Sequence, residues 1–332
     1  MEATALKGYK QTPREVPITI MGFDPGFGNV KAVINGRPLV APSFLSYKQL
    51  SDVDGLEGAF TYLDGPAKDL IGTSCIFGSK APVLDPENFK AIYQDKRNKR
   101  SLGLEMLIGT LALRKPSRYI DLRLVFSTHL QQNIEPLTSR FNGIHELLIQ
   151  GQRVGLRVKV IKGYLEGVGA VLSQGLHRDT ALLLDIGTGT TTGTVFSAGG
   201  RIVARKPLTG GGAALLEAIA NSEELVTALE EPGEADIIKA ALERNSFDYA
   251  PGVSFREAYD RVAPTWVSSR IDNAMSFFKE YSKRADSYVA IGGGVLLPGV
   301  SEALAKRGFT VAQDPAFANA QGLATIAGSK AK

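Results

Sequence analysis

Cysteine is nearly missing from the 332-residue chain: Cys75 is the only one, so neither an intrachain disulfide nor a cysteine metal cluster can form. Histidine is almost as scarce. His129, His145 and His177 lie too far apart for a local His-Glu-x-x-His zinc site and are expected as core or surface residues. No apolar run reaches the ~20 residues that span a membrane, and the first 17 residues are polar, without the core of a signal peptide. A cytoplasmic protein is therefore expected. The chain contains no Gly-Lys pair, which excludes a Walker A phosphate loop. It has no long basic arm, helix-turn-helix or aromatic platform, so a net charge of +4 does not by itself imply strong direct binding to nucleic acid.

Glycine is abundant, 36 of 332 residues, or about 11% against a usual ~7%. The excess sits in short clusters beside apolar runs, where backbone can approach a ligand closely. Length and a 44% apolar content suggest two folded units. ITIMGF (18–23) reads as a buried strand and NVKAVI (29–34) as its hairpin partner, ending at the turn pair Asn35-Gly36. ALLLDIGTGTTTGTVF repeats the design. Asp24 and Asp185 each close an apolar strand before a glycine turn, 161 residues apart. That spacing predicts two related αβ domains, 18–176 and 177–332, after a polar leader at 1–17. Helices are expected from Asn88 to about Leu113, from Glu166 to Leu176, and over 212–231, 234–244 and 264–283, with ANAQGLATIA closing the chain.

Three constellations carry chemistry. The first, Asp24-Pro25-Gly26-Phe27-Gly28-Asn29-Val30-Lys31, is a hairpin turn whose backbone N–H groups could form an anion nest, with a carboxylate before it and a lysine after it. It lacks the third glycine and following helix of a dinucleotide fingerprint. The second, Asp185-Ile186-Gly187-Thr188-Gly189-Thr190-Thr191-Thr192-Gly193, adds hydroxyls. Facing each other, the two loops could clamp a polyphosphate, with Asp24 and Asp185 holding hydrated Mg2+. The third is Gly292-Gly293-Gly294 after a strand, where bare backbone could lie against a base and ribose. Gly210-Gly211-Gly212 could do likewise, or the helix it opens could face a phosphate.

This pattern resembles the actin, sugar kinase and heat-shock chaperone ATPase superfamily and, within it, the bacterial and plasmid actin-like proteins of the ParM type. FDPGFGNVKAV resembles the first phosphate loop, LLLDIGTGTTTGTVF the second, VAIGGGVLLPG the adenosine motif, and DPAFANAQGLATIAG the ending of ParM-type chains. The resemblance implies an α/β actin-like fold of two ribonuclease H-like domains with a nucleotide cleft between them, binding ATP and Mg2+. YLEGVGAVL (164–172) looks like the connecting segment that carries the water-polarising glutamate, which implies Glu166 and Asp185 as catalytic carboxylates; where the family usually has proline, this chain has Leu165. Nucleotide-dependent filaments for plasmid or DNA segregation, with a DNA-bound adaptor, are implied in the same way. A small-molecule kinase of the same superfamily would use the same sites.

Charge is unevenly placed. Residues 94–124 hold eight Lys or Arg against three acids, with Lys96, Arg97, Lys99 and Arg100 clustered, whereas 215–248 hold nine acids against Lys239 and Arg244. Opposite charges at distant places suit head-to-tail contact between copies of the chain.

Overall fold

The computed structural model describes residues 16–49, 55–95 and 97–330; most of the polar leader, and Lys96 of the basic cluster, lie outside them. In the first half the strands are β1 Ile18–Pro25, β2 Asn29–Ile34, β3 Arg37–Pro42, β4 Phe44–Lys48, β5 Ala59–Asp64, β6 Ser74–Phe77, β7 Lys90–Ala91, β8 Tyr119–Thr128, β9 Gly143–Ile149 and β10 Gln152–Leu165. The second half holds β11 Ala181–Ile186, β12 Thr190–Ser197, β13 Arg201–Gly210, β14 Asp248–Ala250, β15 Val253–Ser254, β16 Ser287–Ile291 and β17 Thr310–Val311.

The internal echo in the sequence is an echo in topology. β1, β2 and β3 form an antiparallel meander, and β1 then runs parallel to β8 and β8 to β10. β11, β12 and β13 form a second meander, with β11 parallel to β16 and β16 to β17. The orders β3-β2-β1-β8-β10 and β13-β12-β11-β16-β17 therefore match, and the first sheet continues through β9, β5, β6, β4 and β7. Asp24 and Asp185 sit at equivalent places, opposite Lys31 and Thr192 across their hairpins. The turn pairs Asn35-Gly36 and Gln150-Gly151 both have positive φ at both positions, as tight hairpins require.

Local chemistry moves some helix boundaries. The run expected from Asn88 is extended first, because Lys90–Ala91 pairs with β4 and the Asp85 carboxylate draws in Ser46, Lys48 and Asn88. A 3-10 turn follows at Ile92–Gln94, and α-helix begins at Asn98–Ser101 and continues as Gly103–Ala112. The stretch 212–231 breaks into Gly212–Ala220 and Glu223–Leu229, with the Ser222 hydroxyl accepting from Leu225 N–H as an N-cap. The long helix starts earlier than its apolar face suggested and runs Arg256–Phe278 through Pro264.

Two helices cross between the sheets. Val168–Ser173, which follows the first sheet in the chain, packs Ala170 and Val171 against Leu183, Phe196 and Ile291 of the second. Ala318–Ser329, which follows the second sheet, packs Leu323 and Ala327 against Val125 of the first. They meet backbone to backbone: a methyl group on Gly322 would lie 1.8 Å from the Gly169 carbonyl oxygen. Among the described residues, no helix is long and apolar enough to cross a membrane.

Candidate functional site

The first loop is pinned from below. Ser43 donates its hydroxyl to the Gly26 carbonyl (2.7 Å) and its N–H to the Gly28 carbonyl (3.0 Å). The second loop is held from behind, where Gly212 N–H donates to the Gly187 carbonyl (2.9 Å) and Ala213 N–H to the Thr188 carbonyl (2.8 Å). This corrects one expectation. The first N–H groups of helix Gly212–Ala220 are taken up by the second loop, so they are not free for a phosphate. Gly211 must be glycine because a Cβ there would lie 2.2 Å from the Gly187 oxygen. Gly210 accepts from the Thr191 hydroxyl and from Arg270, and Thr191 is fully buried. Gly210, Gly211 and Thr191 line neither cavity described below; they support the loop.

The two loops touch. A Cβ on Gly28 would strike Thr188, and one on Gly189 would press against the Phe27 ring at 3.2 Å. Around them lies a cavity of about 50 Å³, lined by Asp24, Gly26, Phe27, Gly28, Lys31, Glu166, Asp185, Gly187, Thr188, Gly189, Thr190 and Gly292 from the sequence reading. Lys99, Ile291, Pro315, Ala316 and Asn319 complete it. A larger cleft of about 610 Å³ adjoins it through the shared Lys31, Gly187, Thr188 and Ala316, and takes in Asn29, Gly212, Gly293 and Gly294. Its walls are Val40, Leu216, Leu242, Leu296, Leu297 and Phe317, with Lys31, Lys239 and Glu243 as its charged groups. Gly292, at positive φ, is forced by the Asp185 carboxylate 2.5 Å from a would-be Cβ, and Gly294 by Ile186, whereas a Cβ on Gly293 would meet nothing.

Lys99 is where the structure departs most from the sequence reading. Counted there among a basic surface cluster, it is 1% exposed and forms an ion pair with Glu166. Arg97 and Arg100 do remain at the surface, Arg97 engaged with Asp95. Glu166 is held from a second side by Arg205 (3.3 Å), which also donates to the His129 carbonyl (2.7 Å). Burial works to raise the Glu166 carboxyl, but Lys99 and Arg205 outweigh it and hold the group below the ordinary carboxylate range. Asp185 shows the reverse balance. Burial, then the neighbouring Glu166 and Asp24 carboxylates, push it up to about 7 against the pull of Lys31 and Arg205. Asp24 accepts a 2.6 Å hydrogen bond from Ser127.

Lys99, Ser127, Arg205, Lys239, Glu243 and Asn319 escaped the sequence reading. A signal existed for Asn319, which shares the 3.6-residue stripe of Leu323 and Ala327 and so is a polar group on a buried helix face.

No family model matches the sequence, and no curated protein does. Solved structures match across nearly the whole chain. An archaeal actin homologue, Ta0583, in complex with ADP is 17% identical, with a TM-score of 0.75, covering 94% of this chain and 100% of its own. A non-polymerisable quadruple mutant of pCBH ParM is 15% identical (TM-score 0.72, 94% and 100%), and Bacillus thuringiensis ParM with ATP is 16% identical (TM-score 0.65, 95% and 99%). Together with the matched sheet orders and the crossed helices, these likenesses establish that the chain has the actin-like fold of the ParM type.

Proposed function

We propose that this chain is an actin-like ATPase that binds Mg-ATP in the cleft between its two sheets, hydrolyses it, and polymerises according to its nucleotide state. The observation that carries the reading is the convergence of three carboxylates, Asp24, Glu166 and Asp185, with Lys31 and Lys99, on one small cavity between two glycine loops. The adjoining cleft has the size and mostly apolar walls usual for a small-molecule site. Shared lining residues would let one molecule run through both, with phosphates inside and the nucleoside outside. Touching loops would part to admit it. Asn29, Lys239 and Glu243, already linked by hydrogen bonds of 2.8–3.1 Å, are the groups available to ribose hydroxyls. The ADP and ATP complexes of structural neighbours support a nucleotide as ligand.

Among the described residues no cluster of three or more His, Cys, Asp or Glu could hold a metal on its own, but Mg2+ does not require one, because it keeps waters and takes one or two carboxylates plus phosphate oxygens. Asp24 and Asp185 would hold it; burial and then like-charge crowding raise Asp185, and a cation would relieve the crowding. Bound there, it neutralises charge on the departing phosphates. Lys31 adds a fixed positive charge, and Glu166 orients the attacking water. A carboxylate tied to two cations is a poor proton acceptor, which favours hydrolysis over the kinase alternative, where a base must take a hydroxyl proton.

We place the division into two units near residue 176, with the crossed helices as the bridge between them. Head-to-tail contact would join the exposed Arg97 and Arg100 to Glu230 and Glu234 of the next copy. Segregation of DNA through an adaptor is the cellular role this reading suggests. The test is equilibrium binding of a fluorescent ATP analogue, with phosphate release, for the unaltered chain and Asp185→Ala. Magnesium-dependent binding and turnover, both nearly abolished in the variant, are expected; equal turnover in a folded variant would remove the site.

A further inference from the structure

Asp24 lies on β1, whereas Glu166 lies in the turn just past the end of β10. A third side chain joins their surroundings. Asn319, 5% exposed near the start of the closing helix, donates from Nδ2 to Ser127 Oγ at 3.1 Å, and Ser127 donates its proton to Asp24 Oδ1 at 2.6 Å. At its other end, Asn319 Oδ1 accepts from the backbone N–H of Gly167 (3.2 Å) and of Gly169 (3.1 Å), the turn that begins directly after Glu166. Every assignment is forced. Two N–H donors require an oxygen at one end of the amide, which leaves the NH2 for the hydroxyl, and the hydroxyl proton is then left for the carboxylate. Asp24 thus receives a charge-assisted bond whose donor is itself held in place.

Only close backbone approach allows one short side chain to span this gap. The closing helix seats against Gly169 and Gly22, where Cβ atoms would lie 2.1 Å from the Asn319 carbonyl oxygen and 2.2 Å from the Ala320 carbonyl oxygen, respectively. Gly167 has φ 93°, a conformation glycine adopts freely, and a Cβ there would strike Leu183. The turn, the helix and the first phosphate loop therefore share one set of backbone constraints. Asn319 is where polar contacts cross between them.

We propose that Asn319 is a positioning residue for ATP hydrolysis: through Ser127 it fixes the Asp24 carboxylate, and through the Gly167 and Gly169 amides it fixes the turn that aims Glu166, so that the two carboxylates keep one mutual geometry. This rests on the ATPase reading above. Asn319 touches no reacting atom in this role. Its loss should act on turnover more than on nucleotide affinity, because misplacing an aligned group by about 1 Å can cost on the order of 10²-fold in rate.

The test compares Asn319→Ala, Asn319→Asp and Ser127→Ala in the full chain by steady-state ATP hydrolysis, fluorescent-ADP affinity, and hydrogen exchange of the 165–170 amides without nucleotide. Asn319→Asp keeps the acceptor for both amides and loses the donor to Ser127. It should retain slow exchange while losing turnover. Asn319→Ala should lose both, and Ser127→Ala, which leaves the closing helix untouched, should lose turnover alone. Each is expected to lower kcat by roughly 10- to 100-fold with affinity changed less than about 5-fold. The double variant Ser127→Ala/Asn319→Asp should be no slower than the worse single one. Unchanged kcat in Ser127→Ala and Asn319→Asp, or unchanged exchange in Asn319→Ala, overturns the proposal while the ATPase reading stands. An unaltered chain that binds no nucleotide and releases no phosphate overturns both.

Discussion

Glu166 shows how one side chain can be both structural and functional. Lys99 is buried against it, so removing the carboxylate leaves an uncompensated cation, and breaking such a pair costs about 3–5 kcal/mol. Glu166→Ala should slow hydrolysis by roughly 10²-fold, the size expected when the attacking water loses its orienting group, while keeping nucleotide affinity, and should also unfold earlier. Adding Lys99→Met should restore part of the lost stability, read by thermal melting, without restoring the rate. Affinity that collapses together with rate would mean the pair only builds the site. Asp185 responds to pH in the opposite sense to a salt-bridged acid. Its carboxyl is raised to about 7, so its contribution to stability is full below the unfolded value near 4 and is lost as pH rises through 7. Asp185→Asn should therefore raise the melting temperature of the nucleotide-free protein by several degrees at pH 8 and by almost nothing at pH 4. Equal melting curves at pH 8 would mean the carboxylate is better solvated than its surroundings imply.

At the scale of elements, the three consecutive glycines after β16 separate folding from binding. A side chain at Gly292 or Gly294 would collide with Asp185 or Ile186, but one at Gly293 projects into the wider cleft and meets no protein atom. Gly293→Val should fold and melt normally and bind nucleotide at least 10-fold more weakly, whereas Gly294→Val should fail on stability first. Normal affinity in Gly293→Val would take this turn out of the nucleoside site. The same turns mark what the sequence made legible. Both loops, Asp24, Asp185 and the repeated meander could be read because strand periodicity, a closing aspartate and a glycine turn are local signals, whereas Glu166 came only with the family resemblance. Lys99 could not, since a lysine in a cationic run looks solvated until the fold sets Glu166, 67 positions away, against it. Arg205 and Ser127 are likewise defined by partners 39 and 103 positions distant. Gly211 is ambiguous for a related reason: a glycine that admits a ligand and one that admits a neighbouring carbonyl look alike in sequence.

For the whole molecule, two sheets that share a five-strand order are bridged by exchanged helices. A nucleotide that draws the loops together would fix the relation of the outer surfaces, and hydrolysis would loosen it. If Arg97 and Arg100 meet Glu230 and Glu234 of the next copy, assembly should weaken as salt shortens the ~10 Å screening length. Charge reversal at Arg100 alone should impair assembly, and combining it with reversal at Glu234 should restore it in part. Salt-independent assembly would place the contact elsewhere. The central claim, that one cleft binds ATP and thereby controls self-association, is tested most directly by sedimenting the unaltered chain with ATP, ADP and a non-hydrolysable ATP analogue. Polymer with ATP that falls back as ATP is consumed, lasting polymer with the analogue, and little with ADP are expected. A chain that stays monomeric in all three would contradict that claim.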